Sequence, residues 1–212
     1  DSLIIKRSKD AHKLVEEYML LANRLVATYV SKKKDKHNRI PFVYRCHDKP
    51  DQAKIELFNL FIKKFGYEIE TQNQDDISKN INALLSDIKL KNEYSLIQSM
   101  AIRSMAKAIY DTDNVGHYGL AFDYYTHFTS PIRRYADLVV HRILQETLSE
   151  NKHKYGQELN DICKRISRME RKAVDAERES TKYFQTLYVV DKIGEEFDGT
   201  VSGIADFGMF VK

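Results

Sequence analysis

The chain has 212 residues, 42% of them hydrophobic, and a formal net charge of +3. That length and apolar content allow a sizeable core, as one large domain or one domain with a piece of another, and no apolar run is long enough to span a bilayer. The charge is too small to argue for a nucleic-acid partner in bulk, so any such reading must rest on where the charges stand.

The periodicity is mostly helical. Asp10 can cap a first helix that carries Leu14, Tyr18, Leu21, Leu25 and Tyr29 on one face, and SKKKDKHNR (31–39) reads as a solvated connection before a short strand, PFVYR (41–45). Lys49-Pro50-Asp51 opens a second helix with Ile55, Phe58, Phe61 and Phe65, and Gly66 stops it. Two further helices are predicted at about 77–89 and 93–110, the first capped by the Asp75-Asp76 pair. Asp111 and Asp113 lie in DTDNVG, which begins like a calcium loop but has Val115 and Phe122 where ligands should stand, so a turn is predicted. HYGLAF (117–122) looks strand-like, and a very long helix is predicted over about 156–191. From Gly194 the pattern alternates, with glycines at 199, 203 and 208, which predicts two short strands joined by a turn. The aromatics Tyr18, Phe58, Phe61, Tyr94, Tyr183 and Phe184 fall at helical spacing, so core packing is their expected role. Cys46 and Cys163 form no CxxC and predict reduced, buried thiols in a cytoplasmic protein, and no signal peptide is visible at Asp1.

The chemistry concentrates between His117 and Leu144. Thr129 or Ser130 can cap a helix, Pro131 suits its first position, and Ile132, Tyr135, Leu138 or Val139, and Arg142 or Ile143 carry its pattern onward. Arg133 and Arg134 are thereby predicted in the first turn, beside unpaired amides and the positive end of the helix dipole, where a phosphate is favoured. A guanidinium fork can hold two phosphate oxygens at once. The competing reading is that these arginines pair with surface carboxylates or lie along an exposed helix face. A Ser130 and His127 nucleophilic pair is possible on residue types alone, but no oxyanion or base-orienting pattern accompanies it.

HYGLA, HFTSPIRRYADL and the His141-Arg142 pair, in that order, closely resemble the catalytic-domain signature of the RNB exoribonucleases, the ribonuclease II and ribonuclease R family. KDAHKLVEEYMLLANRLVA (9–27) and MERKAVDAERESTKYFQ (169–185) are similar to an earlier and a later helix of the same domain, while 41–114 matches more loosely. The resemblance implies an α+β fold: a largely helical C-terminal portion of an RNB catalytic domain over 1–192, and over 193–212 the first two strands of an OB-fold RNA-binding barrel. It implies 3' to 5' processive hydrolysis of single-stranded RNA to nucleoside 5'-monophosphates, with no membrane role and no DNA substrate.

In that scheme Arg133 neutralises charge on the scissile or adjacent phosphate, and Glu177, in AERE, stands near the terminal nucleotide as a second catalytic residue, or else in a helix-surface ion pair with Arg178 or Lys182. Arg134, Ser130, Glu16, Glu17 and Asn23 are implied RNA contacts, without a choice between the two glutamates. Phe207 and Phe210 are candidates for base stacking on the OB-fold strands. His127, Tyr135, Asp137 and His141 are expected to orient the site or to be structural. The family's magnesium is held by clustered aspartates for which this chain has no counterpart, so no metal ligand is expected here, the ligands are placed outside the chain, and the chain is expected to be an inactive fragment of the enzyme. The alternatives are a non-catalytic RNA-binding protein that retains the fold, and a helical interaction scaffold.

Overall fold

A computed structural model describes residues 8–35, 38–71, 73, 76–151, 154–199, 201–205 and 208–211. The chain gathers into two compact units, residues 1–48 with 107–171 and residues 49–106 with 172–212.

The first unit begins with α1 (Asp10–Lys32), whose buried positions Asn23, Ala27 and Val30 recur at helical spacing. The predicted apolar stripe is not the buried one. Leu14, Tyr18, Leu21, Leu25 and Tyr29 are all exposed, and the core instead receives the face with the smaller side chains, which lets α1 approach closely. The stretch read as a solvated connection forms a minimal hairpin, β1 (Lys34–Asp35) with β2 (Asn38–Arg39). β3 (Tyr44–Cys46) then pairs antiparallel with β4 (Ile109–Asp111), Arg45 opposite Tyr110. α5 (Tyr135–Leu148) lays Ala136, Val139, Val140 and Ile143 on the core together with Val30, Phe42 and Val43. α6 (Glu158–Val190) adds Leu159 and Cys163 from its first turns. Cys46 and Cys163 are both free and buried, and burial pushes the Cys163 thiol up to about 12.

The second unit has its own core, built by α2 (Gln52–Lys63), α3 (Ile77–Asp87) and α4 (Tyr94–Ser104). Ile55, Phe58, Ile62, Ile77, Ile81, Ile88 and Ile97 fill it, and each such fully buried side chain contributes roughly 1.5–3 kcal/mol of transfer free energy. Asp51 caps α2 by accepting from the Ala53 amide at 2.8 Å, and Gly66, at φ +83°, turns the chain away after it. In this unit α6 continues through residues 172–190, all exposed, and β5 (Val201–Ala205) pairs antiparallel with β6 (Gly208–Val211). Tyr18, Tyr183 and Phe184, expected in a core, are exposed, whereas Phe58 is buried and Phe61 and Tyr94 are partly buried as expected.

Four local expectations are corrected. α4 stops at Ser104 instead of running to 110, because Met105 turns extended and residues 109–111 join β3 in a ladder, so strand pairing overrides helical propensity. HYGLAF is not a strand: Tyr118–Leu120 form a 3-10 turn, Ala121 sits left-handed at φ 53°, and the His117 amide bonds back to the Phe122 carbonyl at 2.8 Å. α5 starts at Tyr135, after a turn over 131–133, so the two arginines precede the helix. Asp76 occupies the N-cap position of α3 without capping it, its carboxylate engaging Lys79 and Asn73 instead; Asp75 lies outside the described residues. The DTDNVG turn is present, closed by the Asp113 amide on Asp111 Oδ1 at 3.1 Å.

Candidate functional site

Residues 125–130 lead to α5 with no regular secondary structure, and they are tied to several parts of the first unit. The Tyr125 carbonyl accepts from the Arg45 amide at 2.9 Å, and the Thr126 hydroxyl donates to the Val43 carbonyl at 2.7 Å. His127 Nδ1 shares a 2.7 Å hydrogen bond with the Tyr110 hydroxyl. The Phe128 and Thr129 amides both donate to Asn23 Oδ1, at 2.9 and 3.2 Å. His141 Nε2 lies 2.9 Å from the Phe128 carbonyl, which can only accept, so that nitrogen carries the proton; its ring stacks on Phe128 at 4.1 Å and 14°. The Ser130 amide donates to Asp137 Oδ1 at 2.7 Å, and the Ser130 carbonyl accepts from the Arg133 and Arg134 amides. Side chains from α1 and α5 thus meet the backbone of this strap at 128–130, while the β3 backbone and the Tyr110 side chain of β4 hold Tyr125 and His127.

The strap ends on two arginines with opposite roles. Arg134 turns inward: its Nε and Nη2 donate to the two oxygens of Asp137, at 2.9 Å each, and Asp137 is 0% exposed. Arg134 and Asp137, taken above as an RNA contact and a supporting residue, thus form one internal bidentate pair. Arg133 is exposed, and its guanidinium has no hydrogen bond or ion pair among the described residues. The guanidinium stands free beside the start of α5, whose first amides lack intrahelical partners.

Behind the strap the groups are neutral. Burial above all, then Arg134, Arg45, His117 and Arg133, pushes His127 down to about 3. Burial likewise raises the Tyr110 phenol well above its ordinary value, so the Tyr110–His127 bond joins two uncharged groups at neutral pH. Arg45 lies 4.6 Å over the Tyr110 ring while its guanidinium forks onto Glu170 at 2.7 and 3.1 Å. Burial and then His47 push His117 down to about 4. Gly119 is fixed by the same corner: its amide donates to His47 Nδ1 at 2.9 Å, and a Cβ there would stand 2.7 Å from that nitrogen.

Of the other expected site residues, Asn23 is 3% exposed, with its amide engaged on the strap and on the Tyr125 hydroxyl. Glu16 and Glu17 are exposed on α1 with no ion pair among the described residues. Seven residues bring a helix to about 20° short of two full turns, so Glu16 shares the strap-facing side with Asn23 while Glu17 points about 120° away. Tyr135 is half-exposed, and no side-chain hydrogen bond from it to the strap is found among the described residues. Glu177 is exposed on α6 in the second unit, and no ion pair with Arg178 or Lys182 is found among the described residues. Phe210 is 54% exposed on β6, and Phe207 lies outside the described residues. Among the described residues no group of His, Cys, Asp and Glu side chains converges to hold a metal ion, so they do not fit a magnesium site. No helix among them is long and apolar enough to cross a membrane.

The sequence reading missed Tyr110, Tyr125 and the Arg45–Glu170 fork. Tyr125 lies inside the motif, but its partner Asn23 is 102 positions away, and Arg45 and Glu170 are 125 apart. Spacing carries no signal for such pairs.

The RNB domain model matches residues 2–150, and the chain belongs to that family. Ribonuclease R 1 of Lactococcus lactis is 38% identical over 99% of this chain and 26% of its own length, and ribonuclease R of Escherichia coli is 35% identical over 96% and 26%. A structure of Mycoplasma genitalium ribonuclease R in complex with ribose-methylated single-stranded RNA superposes with a TM-score of 0.85 at 29% identity, covering 97% of this chain and 32% of that one. The chain therefore spans about a quarter of the length of the curated relatives it matches.

Proposed function

We propose that these 212 residues are part of a 3' to 5' exoribonuclease that hydrolyses single-stranded RNA to nucleoside 5'-monophosphates, and that they supply its phosphate-binding wall. The observation that carries this reading is the free Arg133 guanidinium on a strap whose neighbours are fixed by Asn23, Asp137 and His141. A cation held in advance where charge develops lowers a barrier without reorganising during the reaction. RNA as the ligand is supported by the Mycoplasma genitalium ribonuclease R structures, one with single-stranded and one with double-stranded RNA.

In this proposal Arg133 holds the phosphate, Glu16 is the α1 glutamate that faces the RNA, and Glu177 acts near the terminal nucleotide. Residues 193–212 begin an OB-fold whose Phe207 and Phe210 stack on bases, leaving 1–192 to the catalytic domain. Magnesium supplies the hydrolytic chemistry from ligands outside these residues, and the enzyme works in the cytoplasm. The relatives named above are ribonucleases, so a non-catalytic RNA-binding protein is not the favoured reading. The test is Arg133→Lys in the whole enzyme. Lysine keeps the charge but not the two-point geometry, so turnover is expected to fall more than RNA affinity. Unchanged turnover would move the role elsewhere.

A further inference from the structure

Asn23 sits on α1 next in line to the RNA-facing glutamate, yet its side chain is 3% exposed and three of its four hydrogen-bonding positions are occupied within the protein. Oδ1 takes the amides of two successive strap residues, Phe128 and Thr129, and Nδ2 donates to the Tyr125 hydroxyl at 3.1 Å. One side chain thus holds the strap at both ends of the Tyr125–Thr129 stretch. Only Ser130, itself fixed by Asp137, and the two residues Pro131 and Ile132 separate that grip from Arg133. Resting on the reading of Arg133 given above, we propose that Asn23 is a positioning residue: it touches no nucleotide and sets where the Arg133 guanidinium meets the phosphate.

Without the acceptor, two amides lose their partner together, and the strap is free to re-form around water or other acceptors. Arg133 keeps its charge but not its place. A displacement of this kind affects the rate of the bound complex more than its formation, and a shift near 1 Å costs on the order of 100-fold in rate. Asparagine to aspartate preserves both acceptor contacts, and the Tyr125 hydroxyl can rotate to donate to the new oxygen.

The experiment is a double-mutant cycle in the whole enzyme, with RNA affinity and single-turnover cleavage measured separately. Asn23→Ala is expected to slow cleavage on the order of 10- to 100-fold with affinity little changed, and Asn23→Asp to restore most of the rate. If Asn23 acts through Arg133, then Asn23→Ala combined with Arg133→Ala cleaves no more slowly than Arg133→Ala alone. Tyr125→Phe, which removes one bond of the grip, serves as a milder variant if Asn23→Ala does not fold, and should show a smaller loss of the same kind. A loss of affinity with an unchanged rate in the bound complex would make Asn23 a nucleotide contact and overturn the inference. So would losses that multiply in the double mutant while Arg133→Ala alone is slow. An Arg133→Ala enzyme that cleaves at full rate would instead remove the Arg133 assignment itself.

Discussion

Arg134 and Asp137 form a closed pair, two 2.9 Å bonds onto a fully buried carboxylate, immediately beside an arginine whose guanidinium has no partner among the described residues. Two adjacent residues of the same type therefore differ in what they do for the fold. A buried carboxylate that loses its cation costs several kcal/mol, whereas an exposed cation contributes little to folding.

Arg134→Met is accordingly expected to destabilise the protein by about 3–5 kcal/mol, and Arg133→Met to stay within about 0.5 kcal/mol of the parent. Urea unfolding of the two variants decides this, and equal losses would mean that the pair is not what holds Ser130.

His127 and His117 have folded pKa values of about 3 and about 4, below the ordinary 6.5 of an unfolded histidine. Between those values the unfolded chain binds more protons than the folded one, so stability rises with pH across that window. It is held in full above about pH 6.5 and drains away as the pH falls toward 3. The urea midpoint measured from pH 8 to pH 4 should drop below about 6.5, and His127→Gln should flatten the drop. A midpoint that does not move from pH 7 to 4.5 would contradict neutral burial of these rings.

Gly119→Ala places a Cβ 2.7 Å from His47 Nδ1, on the amide that donates to that nitrogen. Either the His47 ring swings out or the turn opens, at a cost of roughly 1–3 kcal/mol. The same substitution at Gly66, where nothing lies within 4 Å but φ is +83°, is strained by the backbone alone. Thermal unfolding of both variants, with His47→Ala added to each, separates the two: only the Gly119 loss should shrink when the imidazole is gone.

If the magnesium ligands lie outside these residues, as proposed above, the 212-residue chain by itself, supplied with magnesium, releases no nucleoside monophosphates from single-stranded RNA. Steady product from the purified chain, abolished by a chelator, would show that the ligands lie within it.

Much of the fold was legible because it is local. The Asp51 cap, the Gly66 stop and the 33-residue α6 follow from short-range pattern, and their predicted bounds stand within a few residues of the observed ones. Burial was less legible. The stripe Leu14, Tyr18, Leu21, Leu25 and Tyr29 has the spacing of a core face, but hydrophobic periodicity says that a face is apolar and not which partner covers it. The start of α5 was misplaced for a different reason: capping rules fit Ser130 and Pro131, while the Ser130 amide is drawn to Asp137 and keeps 131–133 in a turn. The site was legible as a motif, and its division of labour was not, because Arg133 and Arg134 differ only in what they meet in three dimensions.

The strap has a further consequence for the order in which the molecule assembles. Its anchors at 137 and 141 are near in sequence, but those at 23, 43, 45 and 110 are not, so the strap is complete only once distant segments have been brought together. Contacts of such long sequence separation form late and are entropically expensive. Arg133 is then set in place by nearly the last events of folding, and mild denaturation should release it while the helices are still intact. The geometry around Arg133 and the helical content report on different stages of the same process.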